Sequence, residues 1–140
     1  MIWFESERLV DWGDCDAAGI IFFPNFFAYV DGHFHKFTTS LGFDHRSLLA
    51  DYGLVGTPLR KTECTFHSPA TYGDTLQIAS RITRLGQSSL SSTYRFSRGD
   101  TFIAEAKETR VMVRQTENGI EKAAFPAPIR ALLEPRVSPD

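Results

Sequence analysis

The sequence predicts an α+β fold in which an antiparallel sheet curls around one long apolar helix. Apolar residues recur at helical spacing between residues 26 and 41, and from residue 57 onward they recur at every second position. A sheet that curls around a single helix buries the apolar stripe of the helix and the inner face of the sheet together. Other arrangements of these elements leave one of the two apolar surfaces in water.

The long helix is the most strongly patterned element of the chain. Its apolar stripe has a period of 3.6 residues and consists of Phe26, Val30, Phe34, Phe37 and Leu41. Asn25 is the predicted N-cap, and Gly42 is the predicted C-terminal stop. Gly32 lies inside the helix, where glycine costs up to about 1 kcal/mol relative to alanine. We therefore expect another backbone to pack closely against Gly32.

One strand before the helix and four consecutive strands after it account for most of the remaining chain. The clearest strand patterns cover residues 2–10, 76–83, 89–96 and 102–113, with glycine-containing turns between the later ones. In the last strand the apolar parity changes, which predicts a β-bulge near Lys107-Glu108. Short helices are predicted over residues 44–51, with Asp44 as the cap, and over residues 129–133.

Composition excludes several classes of function. A chain of 140 residues is expected to form one domain, residues 1–140. The net charge of −2 argues against binding to nucleic acids or anionic membranes, which requires concentrated positive charge. No apolar run approaches the ~20 residues of a membrane span, and the N-terminus lacks the pattern of a signal peptide. Two cysteines without metal-type spacing suit a reducing compartment, so we expect a cytoplasmic protein.

Two carboxylates, Asp14 and Asp16, come just before the apolar run that leads into the long helix. A helix N-terminus has free N–H groups and a partial positive charge, which suit a substrate carbonyl that becomes an oxyanion. A carboxylate beside it acts as nucleophile or as general base. A hydrogen bond that holds a turn is the alternative for both residues and the preferred interpretation of Asp14. Cys15 lacks a recognisable histidine partner and is interpreted as a packing residue.

Two neighbouring motifs are more specific. They read Gly13-Asp14-Cys15-Asp16-Ala17-Ala18-Gly19-Ile20 and Phe23-Pro24-Asn25-Phe26. Downstream of them are Val55-Gly56-Thr57-Pro58 and the pattern Phe66…Pro69…Tyr72-Gly73-Asp74…Leu76. Together these motifs resemble the hot-dog-fold acyl-CoA thioesterases, in particular the 4-hydroxybenzoyl-CoA thioesterase branch, from about Arg8 to Pro126. The resemblance implies a hot-dog fold and a thioesterase that hydrolyses an aryl or short-chain acyl-CoA to the free acid and CoA.

The resemblance also implies roles for single residues. Asp16 matches the catalytic aspartate of the branch, and the backbone N–H of Phe23 matches its oxyanion donor. Asp31 matches an aspartate near the acyl end of the substrate, with a solvated helix face as the alternative. Phe22 and Phe26 are predicted to line an apolar acyl pocket, with core packing as the alternative.

Two further substrate-binding residues are predicted outside the helix. Thr57 belongs to the downstream segment that is similar to the branch. The phosphates of CoA require Lys or Arg at the protein surface. The branch has an Arg-Arg-Lys run for this, where the present sequence has Gly86-Gln87-Ser88, so the nearby Arg84 is predicted to bind the phosphates instead. Arg60 and Lys61 are alternatives, and a solvated strand face is the simplest interpretation of all three cations. The acyl donor is therefore left open between CoA and an acyl carrier protein.

No metal site is predicted, because His33 and His35 point about 200° apart on a helix and the other histidines lack neighbouring ligands. No cofactor is expected beyond the CoA of the substrate. Two other functions remain as alternatives: a hot-dog hydratase that uses an Asp–His pairing on the long helix, and a non-catalytic module that binds an acyl ligand. By resemblance we expect a homo-oligomer, a dimer or a dimer of dimers, with the site at the subunit boundary.

Overall fold

The computed structural model describes residues 3–139 and confirms the α+β class. Its strands are β1 (Phe4–Leu9), β2 (Leu54–Gly56), β3 (Leu59–Phe66), β4 (Thr75–Leu85), β5 (Ser89–Arg98), β6 (Thr101–Val111), β7 (Val113–Thr116) and β8 (Gly119–Lys122). Its α-helices are α1 (Pro24–Leu41), α2 (His45–Tyr52) and α3 (Ala127–Leu133). Residue 2, where the first strand was predicted to begin, lies outside the described residues. No α-helix in residues 3–139 is both long and apolar enough to cross a membrane.

Five strands form one antiparallel sheet in the order β1-β4-β5-β6-β3. The remaining strands form a small sheet in the order β2-β7-β8, which the sequence did not predict. The apolar stripe of α1 packs on the inner face of the large sheet, as predicted. Phe26 contacts Phe96 of β5 at a ring distance of 5.3 Å, and Phe34 and Phe37 are buried further along the helix. The large sheet and α1 together therefore form the core on which the site is built.

The start of α1 differs from the prediction. The N-cap is Phe23 and not Asn25, and Pro24 occupies the first helical position. Proline is favoured there because its fixed φ suits the helix and its missing N–H leaves nothing unsatisfied. The Asn25 side chain is used elsewhere, since its amide donates a hydrogen bond of 2.8 Å to the carbonyl of Asp14.

The end of α1 and the cap of α2 follow the prediction. Gly42 closes α1 with a φ of 100°, a left-handed conformation that favours glycine. Asp44 caps α2, accepting a hydrogen bond of 2.9 Å from the Ser47 N–H. The expectation for Gly32 is wrong within the described chain, because a Cβ placed there meets no atom within 4 Å.

The β-bulge predicted near Lys107-Glu108 is absent from β6. The pairing of β6 with β3 and with β5 is continuous through these two residues. The register shifts instead at the start of β6, where Ser97 pairs with Phe102 and Phe96 with Ala104. The inward parity continues from Ala104 to Glu108 and beyond, because a buried ion pair replaces apolar side chains on the inner face. A charged pair on the buried face was thus misinterpreted as a change of face.

Candidate active site

A pocket of about 320 Å³ opens beside the start of α1. Its lining is mostly apolar and consists of Ile20, Ile21, Phe23, Phe26, Phe66 and residues 67–70. Phe26 lies in its wall, packed against Phe66 of β3 at a ring distance of 5.2 Å. Small-molecule sites are typically apolar clefts of roughly 300–1,000 Å³, so this pocket has the size and character of a ligand site.

The backbone N–H of Phe23 is available at the edge of this pocket. Pro24 has no N–H, and the N–H groups of Asn25 and Phe26 donate to the carbonyls of Phe22 and Phe23. The Phe23 N–H is left without an acceptor in the described part of the chain. A free donor at the positive end of an 18-residue helix is suited to stabilise a developing oxyanion.

Asp14 holds this helix start in place. Its backbone carbonyl accepts hydrogen bonds from the Phe22 N–H and the Asn25 side chain, both 2.8 Å long. Its carboxylate accepts a 2.7 Å hydrogen bond from the hydroxyl of Tyr29, one turn into α1. Burial works to raise the pKa of Asp14, but the hydrogen bonds from Tyr29 and Asp11 and the charge of Arg8 lower it overall. These contacts match the structural interpretation of Asp14 as a turn residue.

Asp16 lies in the tight turn that precedes the pocket. Its carboxylate accepts a 2.9 Å hydrogen bond from the Ala18 N–H, is exposed, and forms no ion pair with any described residue. Asp16 does not itself line the pocket, but its N–H donates to the carbonyl of Ile20, which does. The turn is closed by Gly19, whose φ of 80° requires glycine and whose carbonyl accepts a hydrogen bond from Thr71.

Two predicted residues meet at a third that the sequence analysis missed. Arg110 of β6 donates hydrogen bonds to the Asp31 carboxylate at 2.9 Å and to the Thr57 carbonyl at 3.2 Å. Neither Asp31 nor Thr57 lines the pocket of its own chain. One feature of the sequence could have identified Arg110 as a buried residue: it lies two residues after Glu108, in phase with the buried positions of β6.

Two other predicted residues lie apart from the pocket. Phe22 is half exposed and packs on Phe23 at a ring distance of 5.5 Å without entering the pocket. Arg84 is exposed on β4 opposite Ser91 of β5 and forms no ion pair with a described residue. Ile20 and Phe66, which do line the pocket, were not predicted as site residues: Ile20 lies at the end of the Gly13–Ile20 motif, and the fold brings Phe66 there from β3.

The histidines do not form a second reactive centre in the described residues. Both ring nitrogens of His33 are hydrogen-bonded to serine hydroxyls, Ser6 at 2.6 Å and Ser80 at 2.8 Å, in the buried core. His35 lies on the exposed face of α1, 3.7 Å from Asp31. No group of three or more His, Cys, Asp or Glu residues between positions 3 and 139 is arranged to hold a metal ion.

Comparison with known proteins identifies a matching family model and several similar proteins. The family model of the thioesterase-like superfamily matches residues 10–133. A 1,4-dihydroxy-2-naphthoyl-CoA hydrolase of Synechococcus elongatus is 29% identical over 104 residues, which cover 74% of this chain and 76% of the relative. The 4-hydroxybenzoyl-CoA thioesterase of Pseudomonas sp. (strain CBS-3) is 28% identical over 127 residues, covering 86% of this chain and 90% of the relative.

A solved structure extends the likeness to the fold. A 4-hydroxybenzoyl-CoA thioesterase with an Asp-to-Asn mutation, complexed with 4-hydroxybenzoyl-CoA, has a TM-score of 0.88 and 26% identity to this chain. The match covers 94% of this chain and 98% of that structure. The relatives are named thioesterases and hydrolases, in agreement with the resemblance found in the sequence. This chain belongs to the thioesterase-like superfamily and is a thioester hydrolase with the hot-dog fold.

Proposed function

We propose that this chain hydrolyses an aryl-CoA or a short-chain acyl-CoA, using Asp16 and the backbone N–H of Phe23. The observation that carries the proposal is the free Phe23 N–H at the start of α1, beside an apolar pocket whose wall residue Ile20 is hydrogen-bonded to Asp16. One donor for the oxyanion, one carboxylate and one apolar cavity are the parts that thioester hydrolysis requires.

In the proposed reaction the Phe23 N–H polarises the thioester carbonyl as negative charge develops on its oxygen. Asp16 either attacks the carbonyl carbon, giving an anhydride that water then opens, or takes a proton from the attacking water. In both routes the C–S bond breaks and CoA leaves as a thiolate. Asp16 suits either role because it is exposed and unpaired by any cation in residues 3–139.

An aryl acyl group is the substrate that the pocket favours. Phe26 and Phe66 give it flat aromatic walls, against which an aromatic ring packs edge to face, and Ile20 adds an aliphatic wall. The relatives act on aromatic acyl-CoA substrates, as their names state. Phe22 and Arg84 lie outside this pocket, so we propose that they contact the parts of the substrate that extend beyond it.

The site is proposed to lie between two copies of the chain. Strand β3 forms an edge of the large sheet, and seven of its eight residues are exposed. Phe22, Phe23 and Phe66 are also about half exposed around the pocket mouth. Pairing with a second copy covers such an edge and such an apolar patch. A shared site also explains why Asp31 and Thr57, which are proposed to bind the acyl end, lie outside the pocket of their own chain.

The proposal is tested with a panel of benzoyl-CoA, 4-hydroxybenzoyl-CoA and short-chain acyl-CoA, with released CoA detected by a thiol reagent. We expect turnover of an aryl-CoA, and Asp16→Asn is expected to lower kcat/KM at least ~10²-fold, the usual effect of a positioned acid–base group. Asp100→Asn, in the exposed turn between β5 and β6, is the matched control and should keep wild-type activity. Equal rates for wild type and Asp16→Asn would remove Asp16 from the mechanism.

Two further measurements test the alternative of a binding module and the proposal of a shared site. Tight binding of every acyl-CoA in the panel without release of CoA would favour a binding module. Static light scattering at the protein concentration of the assay is expected to give twice or four times the chain mass, and a monomer would contradict the shared site.

A further inference from the structure

The turn that carries Asp16 is the tip of a short hairpin. The Asp16 N–H donates to the Ile20 carbonyl, and the Gly19 N–H donates to the Asp16 carbonyl, both at 2.9 Å. The carboxylate of Asp16 is held within the same turn, by the Ala18 N–H. It has no hydrogen bond or ion pair to a described residue outside the turn. The shape of the turn therefore sets the direction in which the carboxylate points.

A neighbouring loop holds this hairpin on one side. Ile20 pairs with Thr71 in an antiparallel β-bridge, and the Ile21 N–H donates to the Ala70 carbonyl at 2.9 Å. The Thr71 hydroxyl adds a side-chain contact, donating a 2.5 Å hydrogen bond to the Gly19 carbonyl. This hydroxyl therefore holds the corner at which the turn closes.

Thr71 is itself held by an ion pair. Its N–H donates to Asp74 Oδ2 at 3.0 Å, and Arg98 Nη1 donates to the same oxygen at 2.9 Å. Arg98 Nη1 also donates to the Pro69 carbonyl at 3.2 Å. The Asp74 carbonyl accepts a 2.9 Å hydrogen bond from the Val10 N–H. Because Pro69 precedes Thr71 and Asp74 follows it, the ion pair fixes the loop on both sides of the hydroxyl.

We propose that Thr71 is a positioning residue whose hydroxyl holds the Asp16 turn in the shape that the reaction requires. The ion pair of Asp74 with Arg98 fixes Thr71 for this purpose. This inference rests on the proposed function, in which Asp16 attacks the thioester or activates water. A reacting group has to be held within roughly 0.5 Å of its productive geometry. Asp16 is exposed, so the backbone beneath it supplies that precision.

The test measures kcat and KM for the substrate of the acyl-CoA panel that wild type hydrolyses fastest. Thr71→Val keeps the branched shape but loses the hydroxyl, and it should lower kcat roughly tenfold with KM within about twofold of wild type. KM is expected to hold because Thr71 does not line the apolar pocket. Thr71→Ser, which keeps the hydroxyl, should recover most of the lost kcat.

Thr116→Val is the matched control for the loss of a hydroxyl. Thr116 also donates to a glycine carbonyl, that of Gly119 in the turn between β7 and β8, at 2.8 Å. Thr116 does not line the pocket and has no contact with the Asp16 turn. This variant should therefore leave both kcat and KM unchanged.

A background without the reacting carboxylate separates positioning from a general loss of structure. In Asp16→Asn, the change Thr71→Val should have no further effect on kcat, because the group that Thr71 positions no longer reacts. A general loss of structure would lower the residual rate of Asp16→Asn again.

A second variant reaches the same turn through the ion pair. Arg98→Met removes a cation whose side chain is 37% exposed, and it leaves Asp74 as the acceptor of the Thr71 N–H. It should lower kcat less than Thr71→Val does, by roughly threefold, the effect of one partly exposed ion pair. Arg95→Met removes the partner of Glu105 on the same strand and is the control, with kcat unchanged.

The outcomes separate this inference from the function on which it rests. If wild type shows Asp16-dependent turnover, an unchanged kcat in folded Thr71→Val overturns the role of Thr71 alone. A Thr71→Ser variant as slow as Thr71→Val, or a further loss in the Asp16→Asn background, does the same. If Thr71→Val does not fold, Arg98→Met decides, and a wild-type kcat overturns the inference. Absence of turnover, or turnover that does not depend on Asp16, overturns both proposals.

Discussion

The buried imidazole of His33 contributes to how the stability of this chain depends on pH. The residue is 2% exposed, and its ring lies between Phe4 at 5.1 Å and Tyr94 at 5.6 Å. Its two nitrogens are hydrogen-bonded to the hydroxyls of Ser6 and Ser80. Burial, with a smaller contribution from the charge of Lys36 and against a backbone contact with Phe4, lowers the pKa of His33 from 6.5 to about 4.

The sign of the effect follows from proton binding. Between pH 6.5 and about 4 the unfolded chain protonates His33 and the folded chain does not, so the unfolded state binds more protons. Folding stability therefore decreases as the pH falls through this window. Each unit between the two pKa values is worth about 1.4 kcal/mol, which gives a loss of about 3 kcal/mol from His33. That loss is a large part of the 5–15 kcal/mol by which domains are typically stable.

The assay is urea unfolding at pH 7.0, 5.5 and 4.5, at one protein concentration so that assembly does not alter the result. His33→Gln is expected to be less stable than wild type at pH 7 but to lose less stability on acidification. His67→Gln is the matched control, since His67 is exposed and its ring stacks on Phe102. The reasoning is refuted if wild type and His33→Gln lose equal stability between pH 7.0 and 4.5, or if an NMR titration places the His33 pKa near 6.5.

Two further substitutions test other parts of the structure. Gly32→Ala should raise the unfolding free energy by up to about 1 kcal/mol, because the added methyl meets no described atom and alanine favours the helix. If urea titration gives a lower unfolding free energy for the variant, another chain packs against this position. Tyr29→Phe should lower the unfolding free energy by about 1–2 kcal/mol, because it removes the 2.7 Å hydrogen bond to the Asp14 carboxylate. Tyr52→Phe, at an exposed position of α2, is its control and should leave the same measurement unchanged.

Elements with strong local signals were predicted well. The stripe of α1, the left-handed stop at Gly42 and the cap at Asp44 each depend on residues within a few positions of one another. The N-cap was wrong because two local signals competed at adjacent positions. Pro24 fixed the first helical position, and the amide of Asn25 found a longer-range acceptor in the Asp14 carbonyl.

The error in β6 has a different cause. Periodicity distinguishes apolar from polar positions, but it does not show whether a charged residue has a partner that makes its burial tolerable. Glu108 and Arg110 are successive residues on the inward face of β6, and Arg110 donates hydrogen bonds to the Glu108 carboxylate. Tyr94 on β5 donates a further hydrogen bond to Glu108. That third contact joins residues 14 positions apart, and only the folded sheet shows it.

The two aspartates of the Asp14–Asp16 segment have different surroundings, which suit a structural role for Asp14 and the proposed catalytic role for Asp16. Asp14 uses its carbonyl and its carboxylate to hold the first turns of α1, including the peptide before Phe23. Because those contacts fix the turn that enters α1, Asp14 also fixes the direction of the Phe23 N–H, the proposed oxyanion donor. Asp16, two residues later, has an exposed carboxylate and no counter-ion in the described chain. The proposed mechanism needs a carboxylate with that freedom, whereas an anchoring carboxylate needs the partners that Asp14 has.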